Sequence, residues 1–271
     1  MAKNDVKKTA GATAMVSEIS NFTLVEAFKA IRTNLSFALP GNKKCKKLLI
    51  TSSLPSEGKT TVSSNTAITI AQTEAKVLLI DADLRKPKVH TRFGIENSVG
   101  LSNVLSGMAK FEDAIRPSGK GSLFVMTAGV IPPNPAELLS SDNMRNLLTE
   151  LEEHFDYVIV DSAPINLVAD ALELSAMVDG VALVVKANSS THPVTRDTLS
   201  RLEFVGANVV GIILNDLVSK RNGYYKKKGY KYSRYGGKYG YSSYGYGYGY
   251  GYGYGYGYGH TPRRQENEEN K

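Results

Sequence analysis

The chain has 271 residues, a single cysteine and a net charge of +7. One cysteine excludes an internal disulfide, and no apolar run approaches the ~20 residues of a membrane-spanning helix. The positive charge is confined to the C-terminus, because residues 220–271 hold 11 Lys or Arg against 3 Asp or Glu, whereas residues 1–219 hold 22 against 23. An extended nucleic-acid footprint is therefore excluded for the body of the chain, and no nucleic-acid partner is expected. The first residues lack the apolar middle of a signal peptide, which predicts a cytoplasmic location.

Apolar periodicity predicts alternating helices and strands along most of the chain. In chain order these are helix 22–39, strand Lys47–Thr51, helix 59–73, strand Val77–Asp81, a helical patch at Leu101–Leu105, strand Leu123–Thr127, helix 135–153, strand Tyr157–Asp161, helix 168–177, strand Val181–Lys186, helix 193–205 and strand Val209–Leu214. Short, nearly continuous apolar strands between helices are typical of a parallel sheet covered on both faces. The predicted fold class is α/β, with ligand sites at the carboxyl ends of the strands.

The composition changes abruptly at about residue 218. Of the 16 tyrosines, 15 lie between Tyr224 and Tyr258, and most of them alternate with glycine from Tyr244 onward. A segment with so few aliphatic residues cannot bury a core and is expected to be disordered. We therefore divide the chain into a flexible N-terminus (1–20), one globular domain (21–218) and a tail (219–271).

The segment Ser53–Thr60, SLPSEGKT, joins the first predicted strand to a predicted helix. Its spacing is GxxxxGK[ST] with serine at the first glycine position, the pattern of a loop whose backbone N–H groups cradle phosphates. Lys59 is expected to reach the β- and γ-phosphates of ATP, and Thr60 to hold Mg²⁺. The fold is therefore expected to be P-loop NTPase-like, although an ordinary strand-to-helix turn has a similar local pattern. The predicted nucleotide-binding residues of this loop are Ser56, Glu57, Gly58, Lys59, Thr60 and Thr61.

Two further predicted strands end in aspartates. Asp81 and Asp83 lie in VLLIDADLR, and Asp161 ends YVIVD. The carboxyl ends of parallel strands meet at one edge of a sheet, so these side chains are expected to converge on the Mg²⁺–phosphate site. A single aspartate at such a place is usually a helix N-cap or a turn residue. Three of them beside a phosphate loop favour a magnesium–nucleotide site.

A phosphate loop, a strand ending in DADLR, a strand ending in one aspartate and a tyrosine-rich C-terminus together resemble the bacterial tyrosine kinases of capsule and exopolysaccharide synthesis. The resemblance covers nearly the whole chain and implies an ATP-dependent protein-tyrosine kinase that phosphorylates its own tail. It implies that Lys59 and Thr60 are the Walker A pair, that Asp81 and Asp83 form the Walker A′ element, and that Asp161 is the Walker B aspartate.

The same resemblance assigns chemical roles to these residues. Asp81 is expected to accept the tyrosine proton, while Asp83 and Asp161 lie around Mg²⁺ with Thr60. The predicted catalytic residues are accordingly Lys59, Asp81, Asp83 and Asp161. Asn215, at the end of VVGIILN, is similar to the adenine-reading asparagine of related ATPases. It is equally well interpreted as a turn residue after a strand.

The family also carries an ExxRxxR helix that is used for ring assembly. Glu26, Lys29 and Arg32 match it here, with lysine in place of the first arginine. Lysine keeps the charge but loses bidentate recognition of carboxylates, so a homo-oligomeric ring with a weaker interface is expected. A second interpretation, compatible with the first, is that Thr23 and Glu26 form a capping box at the start of the helix.

The tail is predicted to be the substrate. A flexible segment of about 40 residues has an r.m.s. reach of about 35 Å, which brings a neighbouring subunit's site within range and favours phosphorylation in trans. Without a kinase-like body, tyrosines interleaved with Lys and Arg would instead indicate binding to single-stranded nucleic acid or anionic lipid. The predicted phosphoacceptors are Tyr224, Tyr225, Tyr230, Tyr232, Tyr235, Tyr239, Tyr241 and Tyr244.

The resemblance also implies partners. These are a transmembrane adaptor of the polysaccharide co-polymerase type, which would activate the chain and recruit it to the inner face of the membrane, and a tyrosine phosphatase. Two other functions stay open at this point. ATPases of the partitioning or positioning class share the fold, but they usually carry a lysine where this chain has Leu54. A tail-driven protein that binds nucleic acid or another polymer is the second alternative.

Overall fold

The structure is a computed structural model that describes Met15 and residues 22–187 and 189–217. The tail, with all eight predicted phosphoacceptors, lies outside the described residues. The helices are α1 (Phe22–Ala38), α2 (Lys59–Ala71), α3 (Val89–Phe93), α4 (Leu101–Leu105), α5 (Phe111–Ala114), α6 (Pro135–Ser140), α7 (Asp142–Leu151), α8 (Asp170–Ser175) and α9 (His192–Phe204). The strands are β1 (Lys46–Ser52), β2 (Val77–Asp81), β3 (Ile115–Pro117), β4 (Leu123–Met126), β5 (Tyr157–Asp161), β6 (Gly180–Lys186) and β7 (Val209–Asn215).

The strands form one sheet in the order β3-β4-β2-β5-β1-β6-β7. All neighbouring pairs are parallel except β3 and β4, which are antiparallel. Consecutive residues of a strand point to opposite faces, and in β1 both faces are buried, because Leu48 packs with α1 and α2 while Leu49 packs with α7 and α8. Continuous apolar strands are the sequence signature of a sheet covered on both sides. The predicted α/β class is confirmed.

One predicted helix is wrong. The pattern at 135–153 indicated a single helix, but the structure has α6 and α7 with extended backbone at Ser141 between them. The Ser141 hydroxyl accepts the N–H of Met144 at 3.3 Å and so caps the second helix, which is why a serine here starts a helix. The helix Phe22–Ala38 begins one residue before Thr23, so Thr23 lies inside the helix and not at the N-cap position that the predicted capping box requires.

The remaining differences are short elements. The helices Val89–Phe93 and Phe111–Ala114 and the strand Ile115–Pro117 were not predicted. Each is five residues or fewer, a length over which apolar periodicity is a weak signal, although the five-residue helix Leu101–Leu105 was predicted. Within the described part of the chain, none of the helices combines the length and the apolarity needed to cross a bilayer.

Candidate nucleotide and phosphoryl-transfer site

The carboxyl ends of β1, β2, β5, β6 and β7 lie at one edge of the sheet because these strands are parallel. The phosphate loop, defined here as residues 53–58, leaves β1 at this edge and leads into α2. β5 lies between β1 and β2, and Asp161 of β5 is in register with Asp81 of β2 and with Ile50 of β1. The sheet order therefore brings the phosphate loop and both strand-terminal aspartates together, as the sequence predicted.

The backbone of the phosphate loop turns through two residues of positive φ, Ser56 at 63° and Gly58 at 92°. A side chain at Gly58 would be strained, and its Cβ would lie 2.1 Å from Nδ2 of Asn215. Glycine is therefore required here both by the conformation and by the close approach of Asn215. Lys59 and Thr60 follow at once in the first turn of α2, where helix N–H groups point toward a bound anion.

Asp81 is fully buried and holds the loop that follows β2. Its Oδ2 accepts the N–H groups of Lys88 at 3.0 Å and Val89 at 2.9 Å, and its Oδ1 accepts the N–H of Asp83 at 3.3 Å. Burial, reinforced by the neighbouring charge of Asp161, raises the pKa of Asp81 well above its ordinary value, although the Val89 and Lys88 bonds oppose the rise. The carboxylate is thus a base stronger than an exposed aspartate.

Asp161 is 1% exposed, and neither of its oxygens accepts a hydrogen bond of ordinary geometry from a described residue. Burial raises the pKa of this carboxyl from 3.8 to about 6, while the positive charge of Lys59 and the hydroxyl of Thr60 oppose the rise. The hydroxyls of Thr60 and Ser63 are near enough to favour the carboxylate but make no hydrogen bond of ordinary geometry to it, so the burial of its charged oxygens remains costly. They are the kind of ligand that Mg²⁺ and its bound water prefer, so Asp161 and Thr60 fit a magnesium ion at this position.

Asp83 is half-buried, and its Oδ1 accepts the N–H of Lys86 at 3.0 Å. Its negative charge raises the pKa of both Asp81 and Asp161, which places it beside them. The described residues contain no group of three or more His, Cys, Asp or Glu side chains that would hold a metal alone. In a nucleotide site Mg²⁺ usually takes one or two carboxylates and completes its shell with water and substrate phosphates, and Asp83 and Asp161 are the two carboxylates predicted for it.

Two further predicted nucleotide-binding residues, Asn215 and Thr61, form hydrogen bonds within the protein. Asn215 donates its Nδ2–H to the carbonyl of Glu57 at 2.9 Å, so its amide lies against the phosphate loop, and adenine reading stays a prediction. The hydroxyl of Thr61 accepts a hydrogen bond from Nη1 of Arg92 at 3.2 Å. Sequence reasoning missed Arg92. Burial lowers the pKa of its guanidinium, and the nearby charge of Asp161 opposes this change. No motif joins it to Thr61, which is 31 residues away.

The predicted assembly residues lie on α1. Lys29 forms an exposed ion pair with Glu26 at 2.9 Å on the same helix. Arg32 donates from Nη1 to the carbonyl of Thr69 at 3.0 Å and so ties α1 to α2. Within one chain, these contacts engage all three side chains, and the predicted role in assembly stays a prediction.

The chain is similar to known proteins over most of its length. The AAA domain family model matches residues 55–192, a range that contains residues 55–58 of the phosphate loop, Lys59, Thr60 and the three aspartates. Tyrosine-protein kinase YwqD of Bacillus subtilis (strain 168) is 43% identical over 206 residues, covering 75% of this chain and 86% of YwqD. Putative tyrosine-protein kinase CapB of Staphylococcus aureus is 36% identical over 220 residues, covering 81% of this chain and 96% of CapB.

The structural comparison agrees with the sequence comparison. The kinase domain of the Escherichia coli tyrosine kinase Etk matches with a TM-score of 0.70 and 41% identity, covering 74% of this chain and 78% of that domain. In full-length Etk of Escherichia coli (strain K12), the region matched is 27% of the protein. YwqD and CapB, by contrast, are matched over most of their length. The similarity of sequence and of fold over most of the chain places it in the family of bacterial tyrosine-protein kinases.

Proposed function

We propose that this chain is an ATP-dependent tyrosine autokinase that phosphorylates the tyrosines of its own tail, in trans within a homo-oligomer. One observation carries the chemistry: the buried carboxylate of Asp161 has no hydrogen-bond partner of ordinary geometry and lies close enough to Lys59 and Thr60 for both to oppose its raised pKa. Membership of the bacterial tyrosine-protein kinases supports tyrosine as the acceptor.

The phosphate loop and the first turn of α2 would bind the triphosphate. The backbone N–H groups around Gly58 and the ammonium of Lys59 are suited to the β- and γ-phosphates. Phosphoryl transfer passes through a loose transition state whose charge lies on the phosphoryl oxygens, so fixed positive groups in a buried site contribute most of the rate. Lys59 is 8% exposed, which strengthens its interaction with a bound phosphate.

Mg²⁺ would be held by the hydroxyl of Thr60 and by Asp161 and Asp83. When bound, the ion neutralises charge on the β- and γ-phosphates. The chain's own part is to supply oxygen ligands from fixed positions. Asp161 is held by its register with β1 and β2, and Asp83 by the loop that Asp81 braces through Lys88 and Val89.

Phosphoryl transfer joins the phenol of a tail tyrosine to the γ-phosphate of ATP. The phenolic oxygen of a tail tyrosine forms a bond to the γ-phosphorus, the bond from that phosphorus to the bridging oxygen breaks, and ADP leaves. The phenolic proton passes to a carboxylate, for which we propose Asp81. Its Oδ2 already accepts two N–H groups, whereas Oδ1 accepts a single bond of 3.3 Å, so Oδ1 is the oxygen available for the proton.

The tail supplies the acceptors. It holds 15 of the 16 tyrosines, and its charge of +8 is opposite to that of an aspartate-rich site binding a triphosphate. A tail of this length reaches about 35 Å, which allows transfer between neighbouring subunits. A role in capsule or exopolysaccharide synthesis, a transmembrane adaptor and an opposing tyrosine phosphatase follow from the family resemblance. We propose recruitment to the inner face of the membrane through that adaptor.

The fate of the γ-phosphate separates this function from that of a positioning ATPase. Purified chain is incubated with Mg²⁺ and ATP labelled at the γ-phosphate, and the label on protein is compared with free phosphate. An autokinase leaves alkali-stable label on the protein, and Lys59→Met abolishes it. Release of all label as free phosphate by the wild-type chain would show an ATPase instead. The position of Leu54, where those ATPases usually carry a lysine, favours the kinase outcome.

A further inference from the structure

The side chain of Glu57 is buried and bonded to two segments of the chain. It is 1% exposed. Its Oε2 accepts the N–H of Leu54 at 2.7 Å, within the phosphate loop. Its Oε1 accepts the N–H of Lys186 at 3.4 Å and the hydroxyl of Ser190. These three donors stabilise the carboxylate where it is removed from water, and they join the phosphate loop to the loop between β6 and α9.

The backbone of Glu57 has a second connection, to the end of β7. Its carbonyl accepts Nδ2–H of Asn215 at 2.9 Å, and the carbonyl of Asn215 in turn accepts the N–H of Ala187 at 2.8 Å. Glu57 is therefore bonded to the ends of two neighbouring strands, β6 and β7. Gly58, the next residue, lies directly against the amide of Asn215.

The bonds of Glu57 lie next to a strained backbone position, Ser56, and hold the chain on both sides of it. Ser56 holds a φ of 63° without being glycine, a strained conformation that persists only when neighbouring contacts impose it. Leu54 and Glu57 flank the two residues 55–56. The N–H of Leu54 is held by the Glu57 carboxylate, and the carbonyl of Glu57 is held by Asn215. A phosphate loop binds through backbone N–H groups, so a loop fixed in advance loses less entropy when phosphate binds.

We propose that Glu57 is a positioning residue for the nucleotide site: its buried carboxylate, together with Ser190 and Asn215, fixes the phosphate loop in its phosphate-binding conformation. The inference deepens the proposed function, on whose nucleotide site it rests. It assigns Glu57 and Asn215 to the support of the loop. Ser190, which no motif marks, becomes a determinant of phosphate affinity from a different segment of the chain.

The test measures binding by isothermal titration of the full-length chain with two magnesium-complexed probes, ATP and inorganic tripolyphosphate. Tripolyphosphate lacks a base, so it reports on the phosphate loop alone. Ser190→Ala should weaken both probes about fivefold, the equivalent of one hydrogen bond. Ser189→Ala removes the same hydroxyl from the exposed neighbouring position and should leave both affinities unchanged. Adding Ser190→Ala to Glu57→Ala should cause no further loss, because the partner is already gone.

Three results would overturn the inference. They are unchanged tripolyphosphate affinity in Ser190→Ala, an equal loss in Ser189→Ala, or full additivity of Ser190→Ala with Glu57→Ala. If Glu57→Ala does not fold, the comparison of Ser190→Ala with Ser189→Ala decides alone. A chain that binds both probes as predicted but forms no phosphotyrosine contradicts the proposed function and supports this inference.

A separate variant distinguishes the two possible roles of Asn215, support of the phosphate loop and recognition of adenine. As a support of the phosphate loop, Asn215→Ala should weaken tripolyphosphate and ATP by similar factors. As an adenine reader only, it would lose the preference for ATP over GTP while tripolyphosphate affinity stayed at the wild-type value. That second result would remove Asn215 from the proposed support.

Discussion

Asp161 combines nearly complete burial with two carboxylate oxygens that accept no hydrogen bond of ordinary geometry from the described residues. Its pKa is raised from 3.8 to about 6, chiefly by burial. A carboxyl whose pKa is higher in the folded than in the unfolded chain contributes stability at low pH, and that stability is lost as the pH rises from about 4 through about 6. At neutral pH the folded chain therefore holds a charge that a bound cation would stabilise.

Asp161→Asn should make the ligand-free chain more stable at pH 8, by about 1 to 3 kcal/mol, because it removes that buried charge. The same substitution should abolish most of the stabilisation that ATP–Mg²⁺ gives. Thermal unfolding with and without ATP–Mg²⁺ measures both effects. The advantage of the variant should disappear near pH 4, where the wild-type carboxyl is protonated in the folded chain. Equal stability of the two proteins at pH 8 would contradict this account of Asp161.

Gly58→Ala should abolish nucleotide binding, because the added Cβ would meet Nδ2 of Asn215 at 2.1 Å in a backbone of φ 92°. Gly94 provides a matched control, since it also has a positive φ, 64°, but has open space around its Cβ position. Gly94→Ala should cost stability through backbone strain alone, about 1 kcal/mol, and leave ATP affinity unchanged. Titration with ATP–Mg²⁺ compares the affinities of the two variants. Equal losses of affinity would show that backbone strain, and not the contact with Asn215, causes the loss.

At this scale, the sequence predicts the residues that lie in one contiguous motif or at the end of an apolar strand. Lys59, Thr60, Asp81 and Asp161 were found in this way, because strand direction alone brings the ends together. Arg92 was missed because its contact with Thr61 depends on how a five-residue helix packs. The local pattern also identified Glu57 as a loop member without revealing that its side chain bonds to the β6–α9 loop.

Among the secondary-structure elements, the loop after β2 is held to α8 by a two-point ion pair. Arg85 donates from Nε and Nη2 to the two carboxylate oxygens of Asp170, at 2.8 and 3.1 Å. The Asp170 side chain is 0% exposed, whereas that of Arg85 is 40% exposed. Because this loop also carries Asp83, the ion pair contributes to the position of a predicted magnesium ligand.

Arg85→Ala should destabilise the chain by about 1 to 3 kcal/mol, because it leaves a buried carboxylate without its cation. Arg85→Ala with Asp170→Asn should cost less than Arg85→Ala alone, since the buried charge is then removed as well. Lys86→Ala, at the exposed neighbouring position, serves as the control. Chemical denaturation of the four proteins measures the effect. A double variant less stable than Arg85→Ala would contradict a dominant cost from the unpaired charge.

The longer elements were predictable because their periodicity repeats over several turns or strands. The helix Phe22–Ala38 and the central strands were found to within one or two residues at each end. Among the short elements, Leu101–Leu105 was predicted, whereas Val89–Phe93, Phe111–Ala114 and Ile115–Pro117 were missed. The predicted helix 135–153 was wrong because its apolar pattern continues across Ser141. Ser141 divides this segment because its hydroxyl caps the second helix. The apolar pattern on both sides of Ser141 gave no sign of this break.

At the scale of the whole molecule, the reach of the tail predicts that phosphate is transferred from the site of one chain to the tail of another. Full-length chain carrying Lys59→Met keeps the tail but cannot transfer phosphate, whereas a chain ending at residue 218 keeps the site but lacks the tail. The mixture with ATP–Mg²⁺ should produce phosphotyrosine on the Lys59→Met tail, because the core that forms the site lies within residues 22–217. The control mixture carries Lys59→Met in both chains. Absence of phosphotyrosine from the first mixture would contradict transfer in trans.

The central claim is that the site built around Lys59 and Asp161 transfers phosphate from ATP to this chain's own tyrosines. Its most direct test is tyrosine-specific mass spectrometry of the purified chain, dephosphorylated and then incubated with ATP–Mg²⁺, beside Lys59→Met treated identically. The account predicts phosphotyrosine on peptides from residues 219–271 in the wild-type chain and none in Lys59→Met. Equal tyrosine phosphorylation of the two proteins, or none in either, would contradict it.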